Sequence, residues 1–220
     1  MGEIQFTTPE QEIVLGEIKK NSFLQSSFYF TGGTALSSLY LHHRYSDDLD
    51  FFSRKKFDAQ KIYTILQDWG KKYNFVFNSR LVDIVYICNL TFENKTSLKL
   101  DFAYYPYKRI ETGNLVEGIN VDSLLDIAIN KLLTISQRDE VKDFVDLYFL
   151  LQKFAVWDLQ YGVKEKFNAD IDPLLLAADF LKVEDFDFLP KMIKPLSLEE
   201  LKSFFRQQAK ELGKKSIIVS

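Results

Sequence analysis

The sequence predicts an α+β (α/β) protein: a small mixed β-sheet flanked by helices over residues 1–120, followed by a helical part over 121–220. Three observations carry that reading. Runs rich in β-branched and aromatic residues fall close together at 75–81, 84–92 and 97–105, which suits neighbouring strands of one sheet. A strand, a Gly-Gly turn, a short helix and a second strand are packed into residues 28–53. After Val121 the texture changes to apolar stripes at helical spacing, each opened by a capping residue.

Taken in order, Thr8-Pro9-Glu10-Gln11 is a helix start, with Thr8 as N-cap, Pro9 at the first position and Gln11 at the capping-box position. That helix is expected to run to about residue 24. A short strand is expected at 28–31, a helix at 34–42 and a strand at 49–53. Residues 59–72 form a helix with Ile62, Ile65, Leu66 and Trp69 on one side. The three strands named above follow. Residues 110–117, with Gly113-Asn114 inside, fit a small hairpin or a sheet edge. Beyond them Asp122 or Ser123 caps a helix to about 137, and Asp139 caps another to about 154. Helices are expected at 157–167, 173–181 and 198–212, the last with Ser197 as cap and Glu200 completing a capping box. Residues 185–195 read as a polar connector.

Size and composition narrow the function. A chain of 220 residues at 46% hydrophobic buries one good core or a core with a helical extension. A net charge of −3 gives no global basic field of the kind that advertises a nucleic-acid binder. Lys71, Lys72, Arg80, Lys108 and Arg109 are candidates for a local basic groove, against the plainer reading of a solvated surface. The single cysteine, Cys88, sits in an apolar run and is expected to be a buried small hydrophobe. No signal peptide or membrane span is read, so the expectation is a cytoplasmic protein with no membrane partner.

The chemistry concentrates in residues 30–52. Asp48 and Asp50 are two apart on an expected strand, so both carboxylates share one face while Leu49 and Phe51 take the other. Like charges side by side are costly without a cation between them, and Mg²⁺ with oxygen ligands is the usual answer. Gly32 and Gly33 let backbone N–H groups approach an anion at a helix start. An aspartate pair before a strand also serves as an ordinary turn cap. Its spacing from Gly32-Gly33-Thr34 favours chemistry on a nucleotide. Asp101 lies on the polar face of Leu98-Lys99-Leu100-Asp101-Phe102, where a mid-strand carboxylate needs a partner. His42 and His43 point apart and have no third ligand spaced for zinc.

Gly32-Gly33-Thr34-Ala35-Leu36, Arg44, Ser46 and Asp48-Leu49-Asp50-Phe51 resemble the signature of the AbiEii/AbiGii nucleotidyltransferase toxins, within the polymerase-β-like nucleotidyltransferase superfamily. Leu98-Lys99-Leu100-Asp101-Phe102, Lys131, Arg138 and Lys142-Asp143-Phe144 with Asp146-Leu147-Tyr148 extend the resemblance over roughly residues 25–155. It implies a nucleotidyltransferase-fold core completed by the helical region. It further implies two Mg²⁺ ions on Asp48, Asp50 and Asp101, with Asp101 helping to activate the attacking hydroxyl. Gly32, Gly33, Thr34 and Ser46 would bind the nucleotide. Lys131 would hold the triphosphate and Asp146 would orient it, with Arg138 and Asp143 beside them. Read as residues alone, the stripes carrying Lys131 and Asp146 fit an ion-paired seam of a helical hairpin equally well.

The expected function is therefore metal-dependent transfer of a nucleoside monophosphate from an NTP to an acceptor hydroxyl, an activity of the EC 2.7.7 type. By resemblance the acceptor is RNA or tRNA, and the protein is the toxin of a toxin–antitoxin or phage-defence pair with a cognate antitoxin. Alternatives are a small-molecule acceptor such as an aminoglycoside, a protein hydroxyl, or a domain of the same fold that binds without catalysis. A haloacid-dehalogenase phosphohydrolase is disfavoured, because the residues before Asp48 are polar rather than a buried apolar strand. The geometric expectation is that the three carboxylates converge beside Gly33 and Thr34, and that Lys131 meets Asp146 across the hairpin.

Overall fold

A computed structural model describes residues 6–218. The chain divides into two compact units, one of residues up to Lys108 with Thr112–Ser123, the other of Arg109–Glu111 with residues from Leu124 onward.

The first unit is built on a seven-stranded mixed sheet. Its strands are β1 (Tyr29–Thr31), β2 (Leu49–Ser53), β3 (Phe75–Val82), β4 (Val85–Phe92), β5 (Ser97–Tyr104), β6 (Asn114–Val116) and β7 (Ile119–Val121), in the order β3-β4-β5-β2-β1-β7-β6. Strands β2 and β5 run parallel, as do β1 and β7, and the other neighbours are antiparallel. On one face Phe30, Phe51 and Phe102 stack across β1, β2 and β5, with centroids 5.3 and 5.6 Å apart. All three are buried. Each such ring contributes about 1.5–3 kcal/mol on burial. Alternation then sends Asp50 and Asp101 to the opposite face.

The expected first helix is interrupted. Helix α1 (Pro9–Ile18) carries the complete Thr8–Gln11 capping box. The chain then restarts as α2 (Ser22–Ser27), because the Asn21 side chain accepts the Leu24 N–H and supplies a new N-cap. Helix α3 (Gly32–Ala35) begins two residues earlier than expected and widens into a π-helical turn over Leu36–Leu41, ending on His42 at φ 48°. Helix α4 (Ala59–Tyr73) buries Ile62, Leu66 and Trp69, and Asn74 closes it in the left-handed region. Around residues 110–121 the hairpin form holds, as β6–β7. Its turn is Glu117-Gly118 rather than Gly113-Asn114, because a two-residue turn matching strand twist needs two positive φ angles, here 49° and 86°.

The second unit holds α5 (Leu124–Ile135), α6 (Val141–Leu150), α7 (Val156–Phe167), α8 (Pro173–Leu181) and α9 (Leu198–Ile218). Phe144, Phe180 and Phe205 form its aromatic core, with Phe205 5.1 Å from Phe144 and 5.2 Å from Phe180. Asp139 does not cap α6. Its carboxylate pairs with Lys182 at 3.0 Å, and Glu140 stands at the N-cap without a side-chain bond. Ser197 accepts the Glu200 N–H at 3.2 Å, but the Glu200 carboxylate accepts from Tyr148 instead of closing a capping box. Among the described residues, no helix is long and apolar enough to cross a membrane.

Candidate active site

Thr31 pairs with Asp50 in the β1–β2 register, and the chain turns at the next residue, Gly32. Gly32 has φ +75°, and a Cβ built on it would stand 2.1 Å from Asp50 Oδ2. The Asp50 carboxylate therefore lies directly over the Gly32 backbone, an approach open only to glycine. At Gly33 a Cβ would stand 2.7 Å from an Arg44 guanidinium nitrogen and 3.2 Å from Ser46 Oγ. The two glycines thus bring Asp50, Arg44 and Ser46 around one turn. Arg44 is buried and donates to the Tyr45 carbonyl at 2.9 Å, while Gln11 holds the Ser46 carbonyl at 2.8 Å.

Thr34 departs from its expected part. Its buried hydroxyl donates to the Asp48 carbonyl, so it fixes the approach to β2 instead of presenting a donor to a phosphate. Asp47, next to the pair, is exposed as expected of a surface residue.

Asp50 and Asp101 are direct partners in the parallel β2–β5 register and share a sheet face. Asp101 Oδ2 accepts from Lys99 Nζ at 2.5 Å, while its buried Oδ1 has no hydrogen-bond partner. Burial raises the Asp101 carboxyl above its ordinary value, and the Asp48 charge adds to the rise against the pull of Lys99. Burial would lower Lys99, but Asp101, with Asp48 and Asp50 behind it, holds the ammonium above its ordinary value. The expected convergence of all three carboxylates is not met as the side chains stand. Among the described residues, no three His, Cys, Asp or Glu form a metal-holding group. The reason is visible locally: Asp50 is turned over Gly32, and Asp101 is held by Lys99. The donor set still suits a hard cation, since it offers carboxylate oxygens only, one of them buried and unsatisfied. Cys88, on the neighbouring strand, is buried, and burial with the Asp101 charge pushes its thiol up to about 12.

In the helical unit, Lys131 Nζ lies 2.6 Å from Asp143 Oδ1 and 2.6 Å from Asp146 Oδ2. The approach of Lys131 to Asp146 is as expected, and Asp143 is an equal partner. Arg138 adds two bonds to Asp143, at 2.8 and 3.1 Å. Burial alone would raise Asp143, but Lys131 and Arg138 outweigh it and hold the carboxyl below the usual range.

Two buried groups escape a reading of the sequence. Asp126 and Lys166 meet at 2.6 Å with both side chains fully buried, and Asp126 also accepts the N–H groups of Ile110 and Glu111. Asp126 sits beside Ile127-Ala128-Ile129, and its place on the apolar stripe was the available signal. Asp122 accepts from Thr31 Oγ1 at 3.1 Å, so it braces the strand end before Gly32 as well as preceding α5. The candidate basic groove loses two members to ion pairs, Lys72 with Glu17 at 3.0 Å and Lys71 with Asp68 at 3.8 Å.

This mixed sheet, with its Gly-Gly turn set against aspartates on adjacent parallel strands, has the fold of solved nucleotidyltransferases. Similar solved structures include JHP933 from Helicobacter pylori, 24% identical over 95% of this chain and 94% of that one, with TM-score 0.54. Another is MenT4, the nucleotidyltransferase toxin Rv2826c from Mycobacterium tuberculosis H37Rv, 16% identical over 93% and 82%, with TM-score 0.56. Residues 14–217 match the AbiEii nucleotidyl transferase toxin family of type IV toxin–antitoxin systems, and the chain belongs to that family. It is also 33% identical over 201 residues to the uncharacterized protein aq_aa25 of Aquifex aeolicus (strain VF5), covering 84% of this chain and 88% of that one.

Proposed function

We propose that this protein transfers a nucleoside monophosphate from an NTP to a hydroxyl of an RNA acceptor, with tRNA as the RNA class to test first. In this reading it acts in the cytoplasm as the toxin of a pair whose second member is a cognate antitoxin. The observation that carries the reading is Asp50 packed over Gly32 with Asp101 as its register partner. It puts an anion-accepting turn and carboxylates within one residue's reach.

The backbone N–H groups of Gly32 and Gly33 take the triphosphate, with Arg44 and Ser46 beside Gly33. Thr34 holds the Asp48 carbonyl and so positions that carboxylate. Asp48, Asp50 and Asp101 are the residues that would hold two Mg²⁺ ions, and the chemistry such ions supply is neutralisation of charge on the entering and leaving oxygens. The acceptor oxygen forms a bond to the α-phosphorus while the bond to the bridging oxygen breaks and pyrophosphate leaves. The acceptor proton passes to Asp101 and from there to solvent. Lys99 counters the carboxylates until the site is loaded. Lys131 and Asp146, matched by resemblance to nucleotide-binding positions, are assigned to the ion-paired seam of the α5–α6 hairpin. Two buried carboxylates closing on one ammonium support that assignment.

The test is incubation of the full chain with each α-labelled NTP, Mg²⁺ and total RNA. Label in RNA with the parent, and none with Asp50→Asn, is the expected result. Label on protein or on a small molecule, with none in RNA, would overturn the acceptor assignment.

A further inference from the structure

The face of the sheet that carries Asp50 and Asp101 continues beyond them into a row of aromatic rings. Phe52 lies two residues after Asp50, and Tyr105 lies four after Asp101, so both keep the parity of the carboxylates. The Tyr105 N–H donates to the Ser53 carbonyl at 2.7 Å, which carries the β2–β5 ladder to that residue. Tyr29, the register partner of Phe52, is 6.1 Å from it ring to ring. Phe52 is 4.5 Å from Tyr105, and Tyr105 is 4.8 Å from Tyr107, which is 39% exposed. Along the strands, Phe52 stands one repeat of two residues, about 7 Å, beyond Asp50, and Tyr105 two repeats, about 13 Å, beyond Asp101.

Arg54, Lys55 and Lys56 follow at the same end, all exposed. Ser53 braces their turn. Ser53 Oγ accepts the Lys55 N–H at 3.2 Å and donates to the Lys55 carbonyl at 2.8 Å. Lys56 Nζ reaches 5.9 Å from the Tyr104 ring. A short basic run at a strand end has no periodicity, so the sequence pattern alone does not mark these three cations.

We infer that the Phe52–Tyr105–Tyr107 row with the Arg54–Lys56 turn is a docking surface for the unpaired end of the RNA acceptor, bases on the rings and phosphates on the cations. The inference rests on the nucleotidyl-transfer reading above and deepens it. Its force is positional. Gly32 and Gly33 lie at one end of β2, the aromatic row and cations at the other, and Asp50 with Asp101 lie between. An NTP with phosphates at the glycines leaves three further cations without a use, whereas a strand entering from the far end uses them and brings its terminal hydroxyl to the carboxylates. Ring faces stack any base, and a cationic rim tracks the backbone.

The experiment is fluorescence anisotropy of a labelled single-stranded RNA 12-mer on the full chain across a salt series, with Mg²⁺–NTP-induced melting shifts measured in parallel. Lys55→Glu/Lys56→Glu, on an exposed turn, should weaken RNA binding at least tenfold and reduce the slope of log affinity against log salt by about 1.4. Tyr105→Leu should weaken it roughly tenfold, and Tyr105→Phe should restore it, because the ring face and not the hydroxyl does the stacking. The NTP-induced shift should be the same in all. Undiminished RNA binding and labelling in the charge variant would overturn the docking surface while leaving the transfer reading intact. A lost NTP shift in Tyr105→Leu, with RNA binding retained, would reassign the row to the nucleotide's base. Tighter binding of the matched DNA would overturn RNA as the occupant. A parent that neither binds nor labels RNA would remove the acceptor reading and this surface with it.

Discussion

Two groups of buried or half-buried aspartates are compensated in opposite ways. In the helical unit, Asp143 and Asp146 are met by Lys131 and Arg138, and Asp126 by Lys166 with two backbone N–H groups. In the sheet unit, the Asp48 charge adds to the cost of burying Asp101, Lys99 donates to one Asp101 oxygen, and the other is buried without a hydrogen-bond partner. The directions of titration follow. Burial is outweighed at Asp143 and Asp126, which stay below the usual carboxylate range, and it prevails at Asp101, which is raised. A closed charge account holds helices together. In the proposed function, the open one is where a cation binds. Under the proposed function, this contrast separates structural from working aspartates better than burial does, since the ion-paired ones here are the more buried.

The largest stability effect should come from the closed group. Lys131→Met leaves Asp143 and Asp146 facing each other with one cation fewer, and breaking a buried pair costs about 3–5 kcal/mol. Urea unfolding measures it. A loss below about 1 kcal/mol would break the comparison and return Lys131 to a ligand-binding role. Next comes Gly32→Ala, which forces a side chain into a left-handed backbone and into the Asp50 carboxylate. A cost of about 1–3 kcal/mol is expected, together with loss of label transfer. Full transfer activity in that variant would show that the turn need not approach Asp50 so closely.

How far the sequence reached follows the same division. The Gly32–Gly33 turn, Asp50 and the Asp101 strand were legible because period-two alternation and short spacing fix them locally, and β2 lies where the pattern put it. The partner of the Thr34 hydroxyl was not legible, because nothing in a sequence tells whether a hydroxyl serves a ligand or the Asp48 carbonyl fourteen residues on. The Asp126–Lys166 pair was invisible for a stronger reason. Its partners are forty residues apart and meet only through packing. Asp139 looked like a cap by local chemistry, and Lys182 outbid that bond from elsewhere in the fold.

Smaller in stability, though complete in activity, is Asp48→Asn or Asp50→Asn. Transfer should vanish while the fold persists, and in metal-free buffer the melting temperature should stay level or rise slightly as like-charge repulsion is relieved. Mg²⁺ with NTP should stabilise the parent by mass action and the variants much less. Equal ligand-induced shifts in parent and variants, with undiminished label transfer, would return the motif to a structural turn.

The smallest effect is a slope. Asp143 and Asp126 have depressed folded-state values, so their contribution is present above the ordinary carboxylate range and is lost as pH falls toward those values. Asp101 is raised, so its contribution has the opposite sign: full below the ordinary value, lost as pH rises through the raised one. The difference in stability between parent and Asp101→Asn, followed by thermal melts from acid to neutral pH without metal, should therefore fall as pH rises through that window and then level. A cation competes with the proton for the same oxygens, so added Mg²⁺ should stabilise the parent more strongly as pH rises and should do little for Asp101→Asn. A pH-independent difference, unchanged by Mg²⁺, would mean that Lys99 already satisfies Asp101. The sheet aspartates would then be as closed a group as those in the helices, and the distinction between the two regions would fall.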